Sequence, residues 1–129
     1  MCARCPAGRP WRSSIVRCLF ILFSSPVQHR EAEYVLEKAA ALSGEGHTVS
    51  VFLLGDGTYN ASMPLSRKGA AEVVAGFAGL GGVNIICCST CSAMRGVSTL
   101  IEKAKMGGLE DLVEEIETAD AIFSYTAEE

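Results

Sequence analysis

Chemistry in this chain is concentrated where Val83-Asn84-Ile85-Ile86 runs into Cys87-Cys88-Ser89-Thr90-Cys91 and on to Arg95-Gly96. An apolar, β-branched run reads as a buried strand. Ser89 and Thr90 directly after it favour a turn and a helix N-cap. Cys88 and Cys91 are therefore expected where a strand ends and a helix begins. Unpaired N–H groups and partial positive charge at a helix start stabilise a thiolate, the nucleophilic form of cysteine. Side chains alternate along a strand, so Cys87 is expected to point away from Cys88 into the core. Cys18, in another apolar run, is expected there too. The plainer reading of Cys88 is a buried strand cysteine, and of Cys91 a spectator.

The elements that must position these thiols follow from periodicity. Ile15 to Phe23 reads as a first strand, apolar on both faces. Ala32, Val35, Leu36, Ala39 and Ala40 give a helical stripe stopped by Gly44 and Gly46. His47 to Leu54 is a second strand, Gly55-Asp56-Gly57 a turn, and Tyr59 to Ser66 a loop. Lys68 to Leu80 reads as helix and Val83 to Cys88 as the third strand. Val97, Leu100, Ile101 and Ala104 suit a helix or a short strand, with Thr99 and Glu102 as a candidate capping box. Leu109, Leu112, Val113 and Ile116 mark the clearest helix, Ala121 to Tyr125 a last strand, and Thr126 to Glu129 a tail.

Strands alternating with helices imply a three-layer α/β/α sandwich around a mostly parallel sheet, in a flavodoxin-like arrangement. In such sheets, ligands and catalytic groups gather at the carboxyl ends of the strands. That rule puts His29, Asp56, Tyr59 and Asn60 on the same rim as the cysteines. His29 reads as a proton shuttle or a solvated loop residue, and His47 as structural at the opposite rim. Asp56 suits a ligand contact or simple turn chemistry. Tyr59 and Asn60 suit a pocket wall or a subunit contact. Arg95 suits an anion holder or a helix cap.

Composition narrows the classes. A chain of 129 residues, 49% hydrophobic and 20% charged, is one globular domain with a real core. Residues 1–30 hold five arginines and no acid, whereas residues 31–129 hold six basic against fifteen acidic residues, a formal −9. So acidic a body does not suit nucleic acid. The longest apolar run, nine residues interrupted by Arg17, is far short of the ~20 that span a bilayer, so no membrane is expected. Six cysteines without regular spacing fit a reducing, cytoplasmic compartment. Cys2-x-x-Cys5 with Cys88-x-x-Cys91 has the arithmetic of a zinc site, but more than eighty residues separate the pairs, so neither metal nor cofactor is expected. Residues 1–14, Arg-rich and aperiodic, are expected to be a disordered or artefactual extension rather than a targeting segment, with residues 15–129 forming a single domain.

Three segments, in order, resemble the DsrE/DsrF-like family, the small DsrE- and TusD-like proteins of sulfur relays. They are Val51 to Ala61 with its Gly-Asp-Gly-Thr-Tyr-Asn-Ala exit, Val83 to Cys88 with Arg95-Gly96, and Gly107-Gly108-Leu109 through Phe123. The resemblance implies that the fold is DsrEFH-like and that the relay cysteine lies eight residues before the glycine, at Cys88. It implies a sulfurtransferase-type carrier that holds a persulfide on Cys88, passes sulfur between donor and acceptor proteins, and works as a trimer or hexamer of itself or of related subunits. Cys91 departs from the simplest pattern and opens a second reading, a Cys88/Cys91 dithiol redox protein. A thioredoxin fold is excluded, since no proline follows Pro64. A non-catalytic partner subunit is the third reading.

Overall fold

The computed structural model describes residues 15–26, 30–63 and 72–125. Five strands form one sheet: β1 (Arg17–Leu22), β2 (Thr48–Leu53), β3 (Val83–Cys88), β4 (Ala104–Gly107) and β5 (Ala121–Tyr125). Their order is β4-β3-β2-β1-β5, and every neighbouring pair is parallel. The helices are α1 (Glu31–Gly44), α2 (Glu72–Gly79), α3 (Ser89–Met94) and α4 (Leu109–Thr118).

The layering follows from the strand order. From β1 to β4 the chain steps steadily toward one edge, and from β4 it returns across the sheet to lie beside β1. Right-handed crossovers are the rule, so a connection that reverses direction carries its helix to the other face. The packing agrees. Ala32, Val35 and Ala39 of α1 and Val74 and Phe77 of α2 pack with Phe20, Leu22, Val51, Leu53, Ile85 and Cys87 on one face. Leu112 and Ile116 of α4 pack with Leu19, Ile21, Phe52, Ile86 and Cys88 on the other. The α/β/α sandwich expected from periodicity is therefore present. Its second layer is thin: no α4 residue is fully buried, and Leu109 and Val113 stay exposed.

The structure differs from the sequence reading in three places. Residues Gly55–Ala61 form a 3-10 helix rather than a turn and open loop. It packs close because Gly57 lies against β1: a Cβ there would stand 2.1 Å from the Leu22 carbonyl oxygen. The ambiguous piece Val97 to Ala104 is neither helix nor regular strand: Leu100 bridges to Ser62, the chain enters β4 only at Ala104, and no Thr99/Glu102 capping box forms. Its backbone is occupied otherwise, since Met63 N–H donates to Thr99 O (2.8 Å) and Ile101 N–H to Ala61 O (2.8 Å). That pairing feeds the chain into β4 at the sheet edge. Third, Ser89 and Thr90 lie inside α3, and the N-cap is Cys88 itself, with no side-chain capping bond. The expected beginning of α2 at Lys68, the loop end at Ser66, residues 1–14 and the tail Thr126 to Glu129 lie outside the described residues.

Cys87 anchors the end of β3. It is fully buried, its Sγ lies 3.2 Å from Ser92 Oγ of α3, and it donates to Thr58 O of the 3-10 helix at 3.8 Å. Burial pushes its pKa above the ordinary thiol value, outweighing the opposing hydrogen bond from Ser92.

Two predictions follow from this packing. Gly57→Ala must displace backbone, and it should cost at least about 2 kcal/mol and lower the thermal midpoint by roughly 5 °C or more. Gly79→Ala, whose Cβ meets nothing within 4 Å, should leave the midpoint unchanged or slightly raised. Equal midpoints for the two variants would contradict the close approach. The second prediction concerns pH. Folding holds the Cys87 proton more tightly than the unfolded chain does, so this contribution is complete below the ordinary thiol value of 9.0 and is lost as pH rises above it. Urea unfolding should show a steeper alkaline loss for wild type than for Cys87→Ala, and parallel curves would contradict the assignment.

Candidate functional site: a cysteine rim

Because β1, β2 and β3 are parallel, their exits share one rim. Phe23 to Pro26 follows β1, the 3-10 helix follows β2, and α3 follows β3. Cys88 is the last residue of β3 and the N-cap of α3, with extended backbone (φ −63°, ψ 122°). Cys91 is the third residue of α3. The two are thus three residues apart in the chain, at the N-cap and in the first turn of α3. Both cysteines pack with Phe52, Leu54 and Ile86, on the face opposite Cys87. Cys88 retains 4% of its surface against none for Cys87, and Cys91 is half-buried.

Arg95 ties two of the exits together. Its Nε donates to Asp56 Oδ1 at 2.7 Å and its Nη1 to the Cys91 carbonyl at 3.3 Å. The bond to Asp56 holds the guanidinium firmly in its charged form. Arg95 thus braces α3 against the 3-10 helix and satisfies a helix carbonyl, with Asp56 offsetting its charge. The pair is largely exposed, so its contribution to stability is at most about 1 kcal/mol. Gly96, at φ +73°, makes the left-handed turn that ends α3 and lets Val97 N–H reach Ser92 O at 2.9 Å.

Asn60 ties the first exit to the second. It is fully buried, and its Nδ2 donates to Ser24 O and Gly57 O, both at 2.9 Å, while Oδ1 has no partner among the described residues. Tyr59 is half-buried on the same turn and acts electrostatically on Arg95. Of the expected site residues, the fold brings Cys88, Cys91, Arg95 and Asp56 together through direct contacts or chain adjacency. Asn60 and Tyr59 share the rim as a brace and a wall. His29 lies outside the described residues. His47 is at the opposite rim, accepting from Val16 N–H (3.2 Å) and lying 3.7 Å from Glu45, as a structural residue would.

Thr58 and Ser92 were not singled out in the sequence. Both are buried and hold Cys87, and the only hint was a small polar residue one helical turn beyond the cysteines. Chemically, the rim presents two thiols on one side of the sheet and a charged guanidinium bonded to the carbonyl of one of them. Among the described residues, no group of metal-ligating side chains gathers, and no helix is long and apolar enough to cross a membrane.

Comparison with known proteins accords with this geometry. The E. coli YchN protein, known from its crystal structure, superposes with a TM-score of 0.75 at 20% identity, over 86% of this chain and 100% of that one. This likeness establishes the fold. No curated protein matches. The model of the DsrE/DsrF-like family matches residues 17–125, nearly the whole described body. The chain, with its five-stranded parallel sheet and its cysteine rim, belongs to the DsrE/DsrF-like family.

Proposed function

We propose that this protein is a sulfur carrier of a relay, holding sulfane sulfur as a persulfide on Cys88. The observation that carries the reading is the division between two adjacent thiols: Cys87 is sealed against Ser92 and Thr58, while Cys88 ends the strand on the rim side beside Cys91. Family membership supports a role in sulfur relay. In loading, the Cys88 thiolate attacks the outer sulfur of a donor persulfide. A new S–S bond forms, the donor's S–S bond breaks, and the donor leaves as thiolate. Delivery to an acceptor thiolate is the same step in reverse order. Arg95, bonded to Asp56 and to the Cys91 carbonyl, holds α3 and its thiol in place at this rim. The carrier works in the reducing cytoplasm, as a trimer or hexamer of itself or with related subunits, between a donor and an acceptor protein. Cys87, Cys88 and Cys91 are all free thiols, which suits that compartment.

The position of Cys91, on the same side as Cys88 and more exposed, favours one second reading. The Cys91 thiolate would attack Cys88 Sγ, expel hydrosulfide and leave a Cys88–Cys91 disulfide. The protein would then act as a dithiol redox partner.

Exposure of purified protein to a sulfane sulfur donor, followed by peptide mass mapping, should show one added sulfur on the Cys88 peptide. Cys88→Ser should abolish the adduct, and its persistence there would overturn the assignment. Cys91→Ser should keep the adduct under the relay reading. If Cys91 resolves the persulfide, this variant should extend the adduct's lifetime by about tenfold or more and suppress hydrosulfide release.

A further inference from the structure

Beside Cys88 the surface opens into a cleft of about 590 Å³ between the first turns of α3 and α4. Ser89 and Thr90, the residues directly after Cys88, form one wall, and Met106, Leu109, Glu110 and Asp111 are on the other side. Its apolar lining is unusually open: Leu109 is 66% exposed and Met106 41%. At the end of α3, Met94 is also exposed, as is Val113 one turn along α4 from Leu109. Apolar side chains grouped like this on a surface mark a docking site.

The charges indicate what docks. Helix α4 carries Glu110, Asp111, Glu114, Glu115 and Glu117 and no base. Asp111 is occupied in part, accepting from Gly108 N–H at 2.8 Å, whereas Glu110 makes no ion pair among the described residues. Arg17 on β1 and Lys105 on β4 are the nearby bases, and both line the neighbouring cavity with Asp111, Glu114 and Glu115 rather than this cleft, which leaves Glu110 as the acid without a nearby base. A two-fold contact with a second copy would set one acidic α4 against another, an arrangement that like-charge repulsion disfavours. A small metabolite held in the cleft would leave Val113, which is exposed one turn further along α4, uncovered.

We infer that this cleft is the docking surface for the protein that exchanges sulfur with Cys88, and that the docked segment carries an apolar anchor flanked by Lys or Arg. The inference rests on the relay reading and specifies its partner. The anchor sits against Leu109 and Met106, and the bases face Glu110 and the acids of α4. Docking brings the partner's thiol to the outer sulfur of Cys88. The acceptor's new S–S bond then forms as the Cys88 S–S bond breaks, the proton stays with the transferred sulfur, and Cys88 leaves as thiolate.

Two synthetic peptides test this, each with one cysteine between leucines, flanked in one by arginines and in the other by glutamates. Protein loaded on Cys88 should deliver sulfur to the basic peptide about tenfold faster than to the acidic one, with the preference shrinking as salt rises. Glu110→Lys should remove most of the preference, and Leu109→Ser should slow delivery to the basic peptide. Both positions are exposed, so both variants should keep the wild-type circular dichroism. Equal rates for the two peptides, or a preference untouched by either substitution, would overturn the inference. So would loss of the oligomer in Leu109→Ser, which would make the cleft a contact between copies. Serine versions of the peptides, labelled and followed by fluorescence anisotropy, read docking without sulfur. Binding of the basic version alone, in protein that cannot be loaded, would retain the docking surface and reject the relay. Loading without selective binding would do the opposite.

Discussion

The site depends on one constraint, the two-residue period of a β-strand at its last two positions. Because Cys87 and Cys88 are adjacent in β3, the fold must send one thiol into the face packed by α1 and α2 and the other into the thinner face covered by α4. Which goes where is set by the register of β3 against β2, with Ile85 beside Val51 and Cys87 beside Leu53. A slip of one residue would exchange the two thiols. The register is protected by the core on both faces of the strand, and by the contacts from Cys87 Sγ to Ser92 and Thr58. Those contacts also hold α3 and the 3-10 helix to the strand end. The buried, proton-retaining thiol thus does structural work that leaves its neighbour for chemistry.

The rim is then assembled from cross-braces between loops. Asn60 joins the exits of β1 and β2, and Arg95 joins α3 to Asp56. Gly57 lets the 3-10 helix lie against Leu22 closely enough for these contacts. Most of this is local polar bonding rather than apolar burial. The more deeply packed side of the sheet is the one toward α1 and α2. The side toward α4, where Cys88, Cys91 and the open apolar groups lie, has the thinner cover.

Much of the layout was legible in the sequence. The apolar runs Ile15 to Phe23, His47 to Leu54 and Val83 to Cys88 announce buried parallel strands, which the structure trims to Arg17–Leu22, Thr48–Leu53 and Val83–Cys88, and the opposite facing of Cys87 and Cys88 follows from alternation. The common rim followed from parallel topology. The 3-10 helix was not legible, because Gly-Asp-Gly reads locally as a turn and only the approach of Leu22 compacts it. The segment leading to β4 is ambiguous because the strand it feeds has only four residues, and because Leu100 bridges to Ser62, far away in sequence. Ser89 and Thr90 suggest a capping side chain, but α3 begins directly where β3 ends, so both lie inside the helix and Cys88 takes the N-cap position without a side-chain bond. The 109/113 stripe of α4 was read correctly as helix, but periodicity alone could not show that half of it stays uncovered.

A carrier thiol must be reachable and a structural one must not. Peptide-resolved alkylation of the native protein with a small uncharged reagent tests this division most directly. Cys88 and Cys91 should be modified while Cys87 stays protected until the protein unfolds. Modification of Cys87 as fast as Cys88, or protection of Cys88 as complete as that of Cys87, would contradict the account.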